Sequence, residues 1–384
     1  MRKMILITLL SLTLACQSVS EAVPSPTSTT LPSTAEKPTL FQPDTYLTPT
    51  PNYPEAGYGP VNFPADINPL TGLRTDPDLL DRRPMLIKVS NLPRDVRPQS
   101  GLSRADIVYE YYTEEGTTRF IAIYYGQDAE RVGSIRSARF FDEHIIRMYR
   151  GFFVFGSGDE RVRDRLYNSD FAERLIVEWQ ADCPTLCRPD PVTNYLMGNT
   201  LALHDYVRAQ GLSDERQDLD GMYFRMQPLD GGQPADRVYA WYSVVIYNRW
   251  DYDPPSGRYY RYADVENALD GQPEVYKPLR DALGNIPVAA DNVIILLMPH
   301  TFYSESPEIV EMQFYESGPA YAFRDGQIYE LEWVRANEAG LYSLYTKDGD
   351  EYAFKPGNTW FEVMGVDTKI HKDNNDWRFE MRFP

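Results

Sequence analysis

Histidine is scarce in this 384-residue chain, which has 4, and cysteine is scarcer, with 3. A zinc centre takes about four ligands at close spacing, and His144, His204, His300 and His371 are scattered with no such spacing. Neither a metal centre nor a cofactor is expected. Basic charge is short as well: 38 Lys and Arg face 56 Asp and Glu, a formal net charge of −18. Nucleic acid is held by basic surfaces, so it is not an expected partner. Also missing are an apolar run of the roughly 20 residues that a spanning helix needs, a G-x-S-x-G elbow, a P-loop, a dinucleotide fingerprint and a twelve-residue calcium loop.

What is present begins at the N-terminus. Arg2 and Lys3 precede a short, mostly apolar stretch that ends in Leu12-Thr13-Leu14-Ala15-Cys16. This is the layout of a signal peptide, and a small residue before a cysteine resembles a bacterial lipobox in which Cys16 carries a diacylglycerol. Residues 1–16 are read as signal and lipobox. Residues 17–62, rich in Pro, Ser and Thr, are read as a disordered tether. The expected address is the cell membrane, lipid-anchored, on the extracytoplasmic side. With Cys16 acylated, Cys183 and Cys187 remain as an even pair in an oxidising compartment, and a local disulfide is expected.

Two domains are expected beyond the tether. Over 63–229 the pattern is α/β, a mixed sheet with helices. A strand at 84–91 precedes a hairpin of 105–112 and 118–125, a helix at 137–150 with Ser137 as its cap, and a strand at 151–155. The glycine turn Gly156-Ser157-Gly158 then opens a second helix, and another helix covers 201–210. Over 230–384 strands dominate, including 238–247, 292–298, 309–314, 360–364 and 377–381, with hairpin turns at Asp325-Gly326 and Asp348-Gly349. The second domain is mainly β (α+β). Asp251-Tyr252-Asp253 and the 373–376 cluster are read as exposed turns.

Several blocks carry a resemblance. They are Arg97-Pro98-Gln99-Ser100-Gly101-Leu102-Ser103-Arg104-Ala105-Asp106, Thr118-Arg119-Phe120, Gly133-Ser134-Ile135-Arg136-Ser137-Ala138-Arg139, Phe323-Arg324-Asp325-Gly326 and Pro356-Gly357-Asn358-Thr359-Trp360. Together they resemble the YerB-like lipoproteins, a two-domain bacterial family of unknown function, over nearly all of the mature chain. The resemblance departs where family members tend to carry a histidine: Phe155-Gly156-Ser157-Gly158-Asp159 and Val192-Thr193 beside Asn194 have none. A mechanism that relies on a general-base histidine there does not transfer.

The densest chemistry lies in Arg131, Arg136 and Arg139 at a loop-to-helix junction with Ser134 and Ser137. Arginine forks and free helix amides suit a phosphate, carboxylate or sulfate. The candidate ligand-binding set is Arg97, Glu110, Arg119, Arg136, Ser137, Arg139, Ser157 and Asn194. The competing reading pairs these arginines with acids such as Glu110, Glu114, Glu115 or Asp142. No catalytic residue is assigned: Ser157 has no histidine to activate it, and a carboxylate pair cannot be placed without its separation. The first function expected is an envelope module that binds an anionic glycan, lipid-linked or peptidoglycan-derived ligand. The alternatives are an envelope glycan hydrolase or transferase, and a scaffold for another envelope protein.

Overall fold

The apolar run after Pro84 forms β1, Met85–Ser90, and the aromatic runs that follow form β2, Ile107–Tyr112, and β3, Thr118–Tyr124. These belong to a computed structural model that describes residues 53–190, 192–193 and 195–382. Cys16 with its leader, the tether up to residue 52 and Asn194 lie outside the described residues. β2 and β3 form the expected antiparallel hairpin, with Tyr112 opposite Thr118. Its turn places Glu115 and Gly116 at φ of 48° and 76°, and glycine supplies the second of these without a Cβ clash. β3 also pairs antiparallel with β1.

On the far side of β1 lie two parallel strands, β4, Phe152–Phe155, and β5, Leu175–Val177. Besides a single turn at Pro77–Leu80, the helices are α1, Phe141–Tyr149, α2, Glu160–Tyr167, and α3, Thr200–Ala209. α1 turns Phe141, Ile145 and Met148 into the core, as their spacing requires. Asp159 caps α2 by accepting from the Arg161 amide.

The second half is strand-rich, as expected. Its first three strands are β6, Arg237–Trp241, β7, Tyr247–Asp253, and β8, Arg258–Asp264. β9, Asn292–Met298, is followed by the hairpin of β10, His300–Glu305, and β11, Glu308–Met312. β12, Glu316–Arg324, and β13, Gln327–Arg335, turn at Asp325-Gly326, both at positive φ. Last come β14, Ser343–Thr346, β15, Thr359–Gly365, β16, Lys369–Asp373, and β17, Asp376–Glu380.

The large sheet runs in the order β14-β13-β12-β9-β15-β2-β3-β1-β4-β5. β15, from the end of the chain, lies between β9 and β2 and is parallel to both, so strands of the two halves share one sheet. The second sheet runs β8-β7-β6-β17-β16, with Tyr276–Pro278 beside β8. Alternation along β2 sends its side chains both ways. Tyr109 meets Phe141 and Tyr149 of α1, whereas Glu110 meets Asn248 of β7 and Arg261 of β8. Helices cover one face of the large sheet and the second sheet covers the other.

Four expectations are corrected. The helix expected over 137–150 begins only at Phe141, and Ser137 is not its cap. Residues 134–138 are instead held extended between the ends of β1 and β4. Ser90 donates its amide to Ser134 at 2.9 Å, Arg136 to Lys88 at 3.0 Å, Gly156 to Arg136 at 3.0 Å and Ala138 to Ser157 at 2.7 Å. The strand expected over 238–247 is two strands, β6 and β7, because Ser243 turns the chain by accepting the amides of Val245 and Ile246. Asp251 and Asp253 lie within β7, where Asp251 pairs with Arg249 at 2.7 Å, and are not in a turn. Finally, described residues of the expected tether are packed: Tyr58 exchanges backbone hydrogen bonds with Phe224, and Pro60 accepts from Gly221 at 2.7 Å.

Candidate functional site

β1 and β4 pair only as far as Ile87 and Val154. Beyond that point the extended segment 134–138 wedges them apart, and the crevice opens at the carboxyl ends of the strands. Ligands of open α/β sheets collect in this position. The row Ser90, Arg119 and Tyr111 runs across β1, β3 and β2 on the helix side of the sheet, with Lys88 two residues below Ser90.

At the mouth of the crevice Glu114, from the hairpin turn, is held by two arginines. Arg119 Nη2 reaches its Oε1 at 2.7 Å, and Arg139 reaches both oxygens, Nε to Oε2 at 2.6 Å. Arg119 also donates to the Ser137 carbonyl at 2.8 Å, and Arg139 to that of Ala138 at 2.7 Å. Burial acts to raise the Glu114 pKa, but the bonds and charges of Arg139 and Arg119 win and bring it below its ordinary value. Burial, aided by the charge of Arg139, lowers Arg119 to about 10. Arg136 differs from both. Its Nε donates to Ser90 Oγ at 3.2 Å and its guanidinium lies 5.9 Å from the Tyr195 ring, and it has no carboxylate partner among the described residues. Beside Glu114 and Arg119 lies a depression of about 430 Å³, bordered also by Leu92, Arg94 and Thr118.

Behind this mouth sits a sealed group. Lys88 Nζ donates to Asp142 Oδ1 at 2.9 Å, Tyr111 hydroxyl bonds the same oxygen, and Asp142 Oδ2 accepts the Arg139 amide at 2.7 Å. Neither side chain of the ion pair has exposed surface. Burial lowers Lys88 to about 7 and raises Asp142, so both shift toward the uncharged form. Chemically this group fixes the first turn of α1 to β1 and β2, and thereby the position of Arg139.

The structure brings together Arg119, Arg136, Ser137 and Arg139, with exposed Ser157 joined through its carbonyl to Ala138. It does not bring Arg97 or Glu110 to them. Glu110 is wholly buried on the opposite face of the sheet. It accepts from Asn91 at 3.0 Å, Thr118 at 2.7 Å, Asn248 at 3.3 Å and Arg261. Arg97 is locked to Asp264 at 3.1 Å and to the Asn91 carbonyl at 3.0 Å. Both hold the two sheets together. The pairing of arginines with acids, read as the competing possibility, describes Arg119 and Arg139 with Glu114 but not Arg136. Lys88 was not singled out in the sequence; its only signal is a charge inside the apolar run Met85-Leu86-Ile87-Lys88-Val89.

Two further observations bear on chemistry. Cys183 and Cys187 are joined in a disulfide with Cα atoms 4.9 Å apart, closing a small loop. Among the described residues no three His, Cys, Asp or Glu side chains gather to hold a metal, and no helix is long and apolar enough to cross a membrane.

Comparison with known proteins gives consistent results. Residues 70–186 match the N-terminal domain, and residues 238–361 the C-terminal domain, of a family described as protein of unknown function (DUF3048). YerB of Bacillus subtilis (strain 168), named as a candidate lipoprotein, is 28% identical over 311 residues, covering 77% of this chain and 85% of that protein. The crystal structure of Bacillus subtilis YerB superposes with a TM-score of 0.65 at 24% identity, over 78% of this chain and 96% of that one, which shows a shared fold. With both domain models in order on one chain, and one relative aligned across both, the protein belongs to the YerB-like family.

Proposed function

We propose that this protein is a lipid-anchored module on the extracytoplasmic side of a cell membrane, which binds an anionic group of an envelope ligand through Arg119, Arg136 and Arg139. The name given to its Bacillus relative and the Leu12-Thr13-Leu14-Ala15-Cys16 stretch support the anchor. The observation that carries the binding reading is that Arg119 and Arg139 share one carboxylate, Glu114, while Arg136 is held on Ser90, the residue opposite Arg119 in the pairing of β1 and β3. Glu114 occupies the forks of Arg119 and Arg139 as an internal anion, and Arg136 offers donors beside it. An incoming phosphate or carboxylate, from a glycan, a lipid-linked precursor or a peptidoglycan fragment, takes the same kind of bidentate bond. The sealed pair of Lys88 and Asp142 has no surface from which to react, and its part in this reading is to hold the crevice in shape.

The test is cosedimentation of the full chain with isolated cell-wall fractions. Saturable binding that weakens about tenfold or more in the Arg136→Ala, Arg139→Ala double variant is expected, since each charged hydrogen bond contributes roughly 1.5–3 kcal/mol. Equal binding by a folded double variant sinks the reading.

A further inference from the structure

At the opposite end of the same strands a second arginine cluster is assembled. Arg83 stands two residues before β1, Arg150 two before β4 and Arg174 one before β5, so the parallel pairing of these three strands sets the three arginines side by side. Arg147, from the last turn of α1, joins them. The four line a cavity of about 280 Å³ whose one acidic wall residue, Asp170, is largely exposed. In a chain of net charge −18 this is a concentrated positive spot.

Arg147 is fully engaged by carboxylates, whereas among the described residues Arg83, Arg150 and Arg174 are not. Arg147 is anchored by Glu143 at 3.0 Å and Asp170 at 2.6 Å, and Arg83 by the carbonyls of Ser213 at 2.8 Å and Arg150 at 2.7 Å. Phe171 lies against both Arg147 and Arg174, with guanidinium carbons 4.9 and 5.6 Å from its ring. Arg174 makes one long hydrogen bond, 3.4 Å to the Gly151 carbonyl, and no ion pair among the described residues. Among the described residues the Arg150 side chain has neither. Burial and then the charge of Arg83 lower Arg174 to about 10, against the opposing charges of Asp170 and Glu173.

We infer that this cavity is a binding site for a phosphate-bearing ligand carrying more than one negative charge, of about the size of a diphosphate. The donors of Arg83, Arg150 and Arg174 on three strand ends, with the charge of Arg147 beside them, can give several charge-assisted bonds to phosphate oxygens, which a singly charged carboxylate cannot fill. The site is separate from the crevice at the carboxyl ends of the strands, so its ligand is additional to the one proposed there. A free diphosphate and a phospholipid headgroup that ends in a phosphomonoester share this chemistry.

The experiment uses the full chain with Cys16→Ser, so that no acyl chain carries it to lipid. Binding of inorganic pyrophosphate is followed by calorimetry, and binding to vesicles containing phosphatidic acid, whose phosphomonoester takes a second negative charge, against phosphatidylcholine vesicles, by flotation. Saturable binding of at least one probe is expected. Arg150→Glu, which removes no hydrogen bond, weakens it about tenfold or more, and Arg174→Ala does likewise. Preference for pyrophosphate or for vesicles assigns the source. The inference is overturned if neither probe binds, or if Arg150→Glu binds as the parent does. It is also overturned if Arg136→Ala with Arg139→Ala abolishes the binding while Arg150→Glu spares it, because the phosphate then belongs to the crevice.

Discussion

Glu110 and Glu362 stand opposite each other in the parallel pairing of β2 and β15, and both are wholly buried beneath the second sheet. Glu362 accepts from Trp250 Nε1 and from the Tyr242 hydroxyl, each at 2.9 Å, while Arg261 serves Glu110 from within a ring of Phe120, Trp250 and Trp360. Two acids and one cation leave the site short of positive charge. Burial, then the charge of Glu110, push the Glu362 pKa up from 4.5 to about 8.

A pH dependence follows from that shift. Because the folded pKa is raised, the proton on Glu362 stabilises the fold fully below about pH 4.5, and this contribution is lost as pH rises through about 8. Glu362→Gln should therefore flatten the decline and be more stable than the parent at pH 9. Thermal melts at pH 5 and pH 9 check it; an unchanged difference between the two pH values counts against the charge pairing.

On the acid side the relevant group is His144. Its Nε2 faces the Met312 carbonyl at 3.1 Å, and Arg335 donates toward its Nδ1 at 3.1 Å, an arrangement that suits the neutral ring. Burial, with the charge of Arg335, lowers its pKa to about 3. The stability held above about pH 6.5 is lost as pH falls toward 3. His144→Gln should show a shallower loss over that window in denaturant titrations, and an identical slope would refute the assignment.

Lys88→Met leaves Asp142 buried without its cation, at an expected cost of about 3–5 kcal/mol. Adding Asp142→Asn removes the stranded charge and should recover part of the loss. Urea unfolding measures both, and a single-variant cost under about 1 kcal/mol would show that the pair is not needed.

Residues 230–384 expressed alone should not fold cooperatively. β15 would lose β2, its parallel neighbour on one side, and Arg261 its carboxylate Glu110. A cooperative melt with well-dispersed NMR signals from this fragment would contradict the expectation.

Cys16→Ser should move the protein out of the membrane fraction, because the substitution removes the thiol that an acyl chain would take and no described helix is long and apolar enough to cross a membrane. Fractionation followed by mass spectrometry of the N-terminus checks it; retention of the variant in the membrane would point to another attachment.

Strand and helix positions were largely legible because they depend on local rules. Alternating β-branched and aromatic residues marked β2 and β3, and the glycine turn Gly156-Ser157-Gly158 marked the approach to α2. The mistakes came where a distant segment competed for the backbone. Residues 137–140 look helical by spacing, yet their neighbourhood is claimed by Lys88 and Ser157. The candidate site was half legible for the same reason. Arg119, Arg136 and Arg139 lie near one another through one hairpin and one junction, but alternation along β2 turns Glu110 to the other side of the sheet, and Arg97, in a loop, is held by Asp264 of β8.

By itself the sequence determined the family, the order of its two parts, the shift from α/β to mainly β, and an acidic balance that rules out a broadly basic surface. These rest on composition, periodicity and motif order, which are properties of neighbouring residues. Only the tertiary structure decided that β15 joins the two halves in one sheet, that Glu110 meets Glu362, and that Arg83, Arg150 and Arg174 stand together. Those relationships arise from parallel pairing between strands far apart in the chain, and parallel pairs are linked by crossovers whose register leaves no local mark.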